Sequence, residues 1–149
     1  MNKIPIPKTP LALTLSGILP FAGLAFAIWH WRGDIALQQT AALWLLVYGA
    51  VIASFLGGVR WGAAMTKSDK PSGSTLALAV LPPLIAWVLV GLFFRYLSAE
   101  IFLAMAVLLA LLYIWDRGSM SLQSWYRDLR IWPTMGATAS LLAAYLLLR

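Results

Sequence analysis

Ala36-Leu-Gln-Gln-Thr-Ala-Ala-Leu-Trp-Leu-Leu-Val-Tyr-Gly-Ala-Val-Ile-Ala-Ser-Phe-Leu-Gly-Gly-Val-Arg-Trp-Gly-Ala-Ala-Met65 decides the fold of this chain. It holds one charge, Arg60, and no proline. At about 1.5 Å per residue, a helix of this length exceeds the ~30 Å hydrocarbon core of a bilayer. It therefore spans with tilt or protrudes. A barrel strand needs only about ten residues, and lipid leaves no partner for loose backbone groups, so helix is the available answer.

Four more apolar segments flank it, near residues 11–31, 75–94, 101–115 and 131–148. Only short polar joints separate them. The chain is 62% hydrophobic and 11% charged, with mean hydropathy +0.84. Soluble domains carry roughly 25% charged residues, so lipid is the main solvent along the whole 149 residues. The expected fold is all-α: a single membrane domain over 1–149, a bundle of five transmembrane helices. A short interfacial amphipathic helix is expected at about 120–130, before the last span. There Leu122, Trp125, Tyr126 and Leu129 share a helical face, with Arg127, Asp128 and Arg130 off it.

Local signals punctuate the spans. Lys3 to Lys8 is proline-broken and reads as extended. Thr9-Pro10 reads as an N-cap followed by the first helical residue. Pro20, Pro82 and Pro83 are the expected helix-kink positions, because proline removes an N–H and crowds the carbonyl four residues earlier. Lys3 and Lys8 before the first apolar run could pass for a signal peptide. The run continues through Ile28-Trp29, too long for such a core, so the segment is expected to be retained.

Net charge is +6 and the pI about 10.1. In a soluble protein this would raise nucleic-acid binding. Here the basic residues sit in joints between spans, so the meaning is topological and no nucleic-acid partner is expected. The N-terminal side owns Lys3, Lys8, Lys67, Lys70, Arg117, Arg127 and Arg130; the other side owns Arg32, Arg95 and Arg149. That bias predicts a cytoplasmic N-terminus and a periplasmic C-terminus in a bacterial inner membrane. Trp61, Trp115, Trp125 and Trp132 fall near the inner interface, and Trp29, Trp31, Trp44 and Tyr96 near the outer one.

Catalytic chemistry has little to stand on. There is no cysteine, which removes thiol catalysis, disulfides and thiolate metal sites. His30 is the single histidine, between Trp29 and Trp31, and reads as an anchor rather than a metal ligand. The acids Asp34, Asp69, Glu100, Asp116 and Asp128 lie mostly in joints, not mid-span as proton-coupled transport requires. No nucleophile elbow, zinc-binding helix or phosphate loop occurs. The expectation is a non-enzyme with no cofactor and no metal.

Two features of the second span remain. Ala50, Ser54, Gly58 and Gly62 recur every four residues, so Ser54, Gly58 and Gly62 are expected to pack against a helix, in this chain or in a partner. Arg60 lies five residues before Met65, inside the span, where an unpaired arginine costs several kcal/mol at most depths. It either snorkels to head groups or pairs. Asp116 ends the fourth span on the same side and is the available partner. Arg60, Trp61, Asp116 and Arg117, with Pro82 and Pro83 at similar depth and Trp125 and Arg130 as a cap, are therefore expected to frame an inner-leaflet ligand pocket.

Leu15-Ser-Gly-Ile-Leu-Pro-Phe21, Tyr48 to Gly62, Leu81-Pro-Pro-Leu-Ile-Ala-Trp87 and Trp125-Tyr-Arg-Asp-Leu-Arg130 together resemble one family. It is a domain family of unknown function in bacterial inner-membrane proteins, related to eukaryotic transmembrane protein 69. The resemblance implies a small multi-pass protein of the inner membrane and names no reaction. Beside the bilayer itself, the expected partner is another membrane protein or a second copy of the chain, with the protein acting as an accessory or assembly subunit. The alternative is a binder or carrier of a lipid-like or quinone-like ligand around Arg60.

Overall fold

The computed structural model describes residues 7–67, 70, 72–118 and 123–149. All regular structure among them is helical: α1 (Lys8–Ser16), α2 (Ile18–His30), α3 (Ile35–Lys67), α4 (Gly73–Tyr96), α5 (Glu100–Gly118), α6 (Ser124–Leu129) and α7 (Ile131–Leu148). Taking α1 with α2 and α6 with α7, five stretches are long and apolar enough to cross a membrane: 8–30, 35–67, 73–96, 100–118 and 124–148.

The five pack as a closed ring. α2 lies against α3, α3 against α4, α4 against α5, α5 against α7, and α7 returns to α2, with α3 also touching α5. Ile28, Leu45, Leu46, Phe102, Met105 and Leu141 are fully buried at its centre. The outward faces are as apolar as the inward ones: Leu19, Phe26, Phe55, Trp87, Phe94, Ile114 and Leu146 are all at least 60% exposed. A water-soluble monomer does not present such a surface all round, whereas a bundle solvated by lipid must.

Local chemistry fixes the joints. Asp34 caps α3, its Oδ1 accepting from the Leu37 N–H at 3.1 Å, and Gln38 Nε2 donates back to the Ile28 carbonyl at 3.2 Å. α4 ends with Leu97 in the left-handed region at φ 50°, its N–H closing on the Phe93 carbonyl at 2.9 Å. The first helix starts at Lys8 after Pro7, earlier than the Thr9 cap the sequence suggests. Proline at the third helical position is tolerated because the first turn's N–H groups have no intrahelical acceptor in any case.

The prolines act unequally. α4 runs unbroken through Pro82 and Pro83. The first span is interrupted at Gly17, three residues before Pro20. The last is interrupted at Arg130, three residues before Pro133. In both, the ring presses on the carbonyl four residues earlier, Ser16 or Leu129, and the helix resets there. The amphipathic segment near 120–130 is thus a six-residue helix joined to the last span through one residue, with Leu129 buried and Trp125 and Tyr126 half-buried against the bundle. Its expected first turn, with Leu122, lies outside the described residues, as do Asp69 and the proline-broken start at 3–6.

Candidate functional site

The inward face of α5 carries Ile101, Met105, Leu109 and Leu112 at helical spacing, and Asp116 continues that stripe. α3 does the same with Gly49, Ala53, Leu56 and Gly57, then Arg60. Helical register alone brings these two charges into the interior at one end of the bundle. The Arg60 Nε–H donates to Asp116 Oδ1 at 2.7 Å. The break before α7 adds a second cation: Arg130 Nε–H donates to Asp116 Oδ2 at 3.1 Å. Asp116 is 2% exposed and Arg130 6%. The Arg60 guanidinium lies flat over Trp115, its carbon 3.4 Å from the ring centroid.

One carboxylate between two guanidinium groups leaves one positive charge over. Each arginine uses only Nε toward Asp116. Arg60 Nη2, Arg130 Nη2 and the Tyr126 hydroxyl are buried with no hydrogen-bond partner among the described residues. Buried donors normally find acceptors, and each orphan costs roughly 1–3 kcal/mol. Three at one place is a polar site short of acceptors.

Beside it lies a cavity of about 330 Å³, open along one side, lined by Tyr126, Arg130 and Thr134 at its polar end and otherwise chiefly by apolar groups. Its walls include both helix breaks, with Leu13, Thr14 and Gly17 opposite Leu129, Arg130 and Pro133. Tyr48 crosses from α3, edge-on to Phe21 at 4.8 Å, and its hydroxyl donates to the Gly17 carbonyl at 3.0 Å. The space lies where the first and last spans face each other at these two interruptions.

Of the four residues expected to frame a pocket, Arg60 and Asp116 converge. Trp61 is 41% exposed on the outer surface. Arg117 points away, its exposed guanidinium 3.8 Å from Asp128 and 3.4 Å from the Tyr113 hydroxyl. Trp61 and Arg117 each sit one residue, about 100°, round the helix from an inward neighbour, and none of the four lines the cavity: Arg60 and Asp116 reach it only through Arg130. Pro82 and Pro83 face α3 and the core rather than the cavity. Arg130 is a second arm on Asp116 rather than a lid.

The small-residue stripe also needs correcting within the chain. Ser54, Gly58 and Gly62 are exposed, and a Cβ on Gly58 or Gly62 would meet nothing within 4 Å. The close approach is made by Gly57, where a Cβ would fall 2.5 Å from the Ala79 carbonyl oxygen of α4. Pro83 has no N–H to offer that carbonyl, so it turns to the bare Cα of α3 instead. Trp115, Tyr126 and Tyr48 carry the remaining weight of the site. The shared depth of Arg60 and Asp116 is readable in the sequence, whereas these aromatic partners resemble ordinary span or interface residues.

Comparison with known proteins agrees in class. Transmembrane protein 69 of Xenopus tropicalis is 34% identical over 146 residues, covering 93% of this chain and 54% of that protein. Transmembrane protein 69 of Mus musculus is 29% identical over 146 residues, covering 95% and 57%. The chain therefore spans little more than half the length of these curated relatives. No solved structure matches. The model of one family, described as a protein of unknown function (DUF3429), matches residues 6–146, and this multi-pass membrane protein belongs to that family.

Proposed function

We propose that the protein binds a lipid-like molecule taken from the membrane, in the cavity between the two helix breaks, with its polar head at the Arg60–Asp116–Arg130 cluster. The observation that carries this is that two residues with unpartnered buried donors, Arg130 and Tyr126, line an apolar cavity of about 330 Å³, with Arg60 behind them on Asp116. Ligand pockets combine an apolar lining with a few convergent polar groups in this way, at volumes from ~300 Å³ upward. A purely structural ion pair would be expected to use the guanidinium edges more fully, since bidentate pairing is the stronger arrangement.

The bias of Lys and Arg supports a reading in which this end of the bundle, with the N-terminus, faces the cytoplasmic side of a bacterial inner membrane. The head group would then enter from the inner leaflet. Native mass spectrometry of protein extracted with its own lipids tests the reading. A stoichiometric small-molecule adduct, lost in Arg130→Gln, is expected. Adduct-free protein carrying a discrete protein partner would overturn it.

That second outcome corresponds to the accessory-subunit reading, which one observation favours. Ser54, Gly58 and Gly62 form an outward stripe that none of the described residues covers. Close helix association in lipid uses such stripes. Gly58→Leu would then release a partner or a second copy while leaving the bundle folded.

A further inference from the structure

The charge balance of the cluster says what kind of head group fits. Among the described residues, the ion pairs of Arg60 and Arg130 are those with Asp116 alone. The neighbouring Arg117 is matched by Asp128 on the exposed rim. Nothing else there offsets the surplus positive charge. An unbalanced buried charge is costly, and a ligand bearing one negative charge removes the imbalance.

The cavity limits the rest of the molecule. Its volume of about 330 Å³, against roughly 30 Å³ for a group the size of water, has room for an alkyl chain along its apolar lining. Leu13 and Phe55 line it and are 68% and 63% exposed, so its open side faces the lipid-contacting surface rather than the bundle interior.

Resting on the lipid-binding reading above, we propose that the ligand is a single-chain amphiphile with a monoanionic head, an alkyl carboxylate being the simplest member. The chain lies between the breaks at Gly17 and Arg130. The head takes up the free donors of Arg130 and Tyr126 after those side chains turn toward the cavity. A neutral quinone would satisfy the donors and leave the charge unbalanced.

The test titrates the purified protein in a neutral detergent with four probes, read by native mass spectrometry: dodecanoate, its methyl ester, acetate, and a short-tailed quinone. Dodecanoate should bind one to one. Its affinity should exceed that of the ester by about tenfold or more, the effect of a hydrogen bond to a charged group. Arg130→Gln should erase that preference. Leu13→Trp, at an exposed position that spares the fold, should narrow the mouth and weaken acid and ester alike. An ester that binds as well as the acid overturns the anionic head, and acetate that binds as well as dodecanoate overturns the chain. A quinone that binds where dodecanoate does not overturns this inference and leaves the lipid-binding reading standing. If no probe binds and no lipid co-purifies, both fall.

Discussion

The two flanks of α3 use the same device to opposite ends. On the α4 side, Pro83 frees the Ala79 carbonyl, and Gly57 lets the backbones meet over it with no room for a methyl group. On the α1–α2 side, the helix is interrupted at Gly17, three residues before Pro20, and the Gly17 carbonyl is met by the long side chain of Tyr48. A glycine opposite a proline closes a seam. A tyrosine reaching the interruption beside a proline props one open. What a proline does in a membrane helix thus depends on what packs beside it, because backbone acceptors in lipid must be answered from within the protein.

The sharpest way to break the comparison is to remove the charge that organises the open flank. Asp116→Ala leaves two guanidinium groups buried and unbalanced, and should cost about 3–5 kcal/mol, read as a lowered unfolding temperature in detergent. Arg130→Gln should cost clearly less, because it leaves Arg60 and Asp116 as a balanced pair. If the order of these two variants reversed, the cluster would not be carrying a surplus positive charge.

The closed flank should be nearly as sensitive. Gly57→Ala drives a methyl group against the Ala79 backbone, and overpacking of this kind costs about 1–3 kcal/mol. Gly136→Ala makes a similar approach, 2.6 Å, but to the Ile18 side chain, which can give. Gly58→Ala meets nothing and should leave the unfolding temperature unchanged. Equal effects at positions 57 and 58 would mean that the seam between α3 and α4 is not set by the Gly57 approach.

Much of this was legible in the chain. Five spans follow from length and hydropathy, and Asp116 as the available partner of Arg60 follows from matching depth, with snorkelling as the alternative that depth leaves open. The stripe at Ser54, Gly58 and Gly62 was real as a pattern but pointed outward. Periodicity says which residues share a face and not which face is inside. The heavier neighbours Leu45, Leu46 and Leu56 settle that, by carrying α3 into the core with Gly49 and Gly57 between them. The cavity was not legible. It depends on Leu13, Thr14 and Gly17 sharing a wall with Leu129, Arg130 and Pro133, a relation between segments more than a hundred residues apart. Tyr126 was read as part of an apolar face, because nothing local marks a hydroxyl that will end up without a partner.

The mildest variants sharpen the comparison most. Tyr48→Phe keeps the ring packed on Phe21 and removes only the hydroxyl that reaches Gly17. Its stability cost should be about 1 kcal/mol, the net worth of one hydrogen bond. Its effect on shape should be larger, since the prop is gone and α1 can settle toward α3. Ligand capacity should therefore fall by more than stability does. Arg117→Ala removes an exposed ion pair at 3.8 Å and should cost less than about 1 kcal/mol with no change in ligand capacity. Measuring both readouts on both variants separates a cavity held open by a specific hydroxyl from one that is merely loose packing. Should Tyr48→Phe and Arg117→Ala prove alike in ligand capacity, the open flank owes nothing to Tyr48, and the breaks at Gly17 and Arg130 alone must hold it apart.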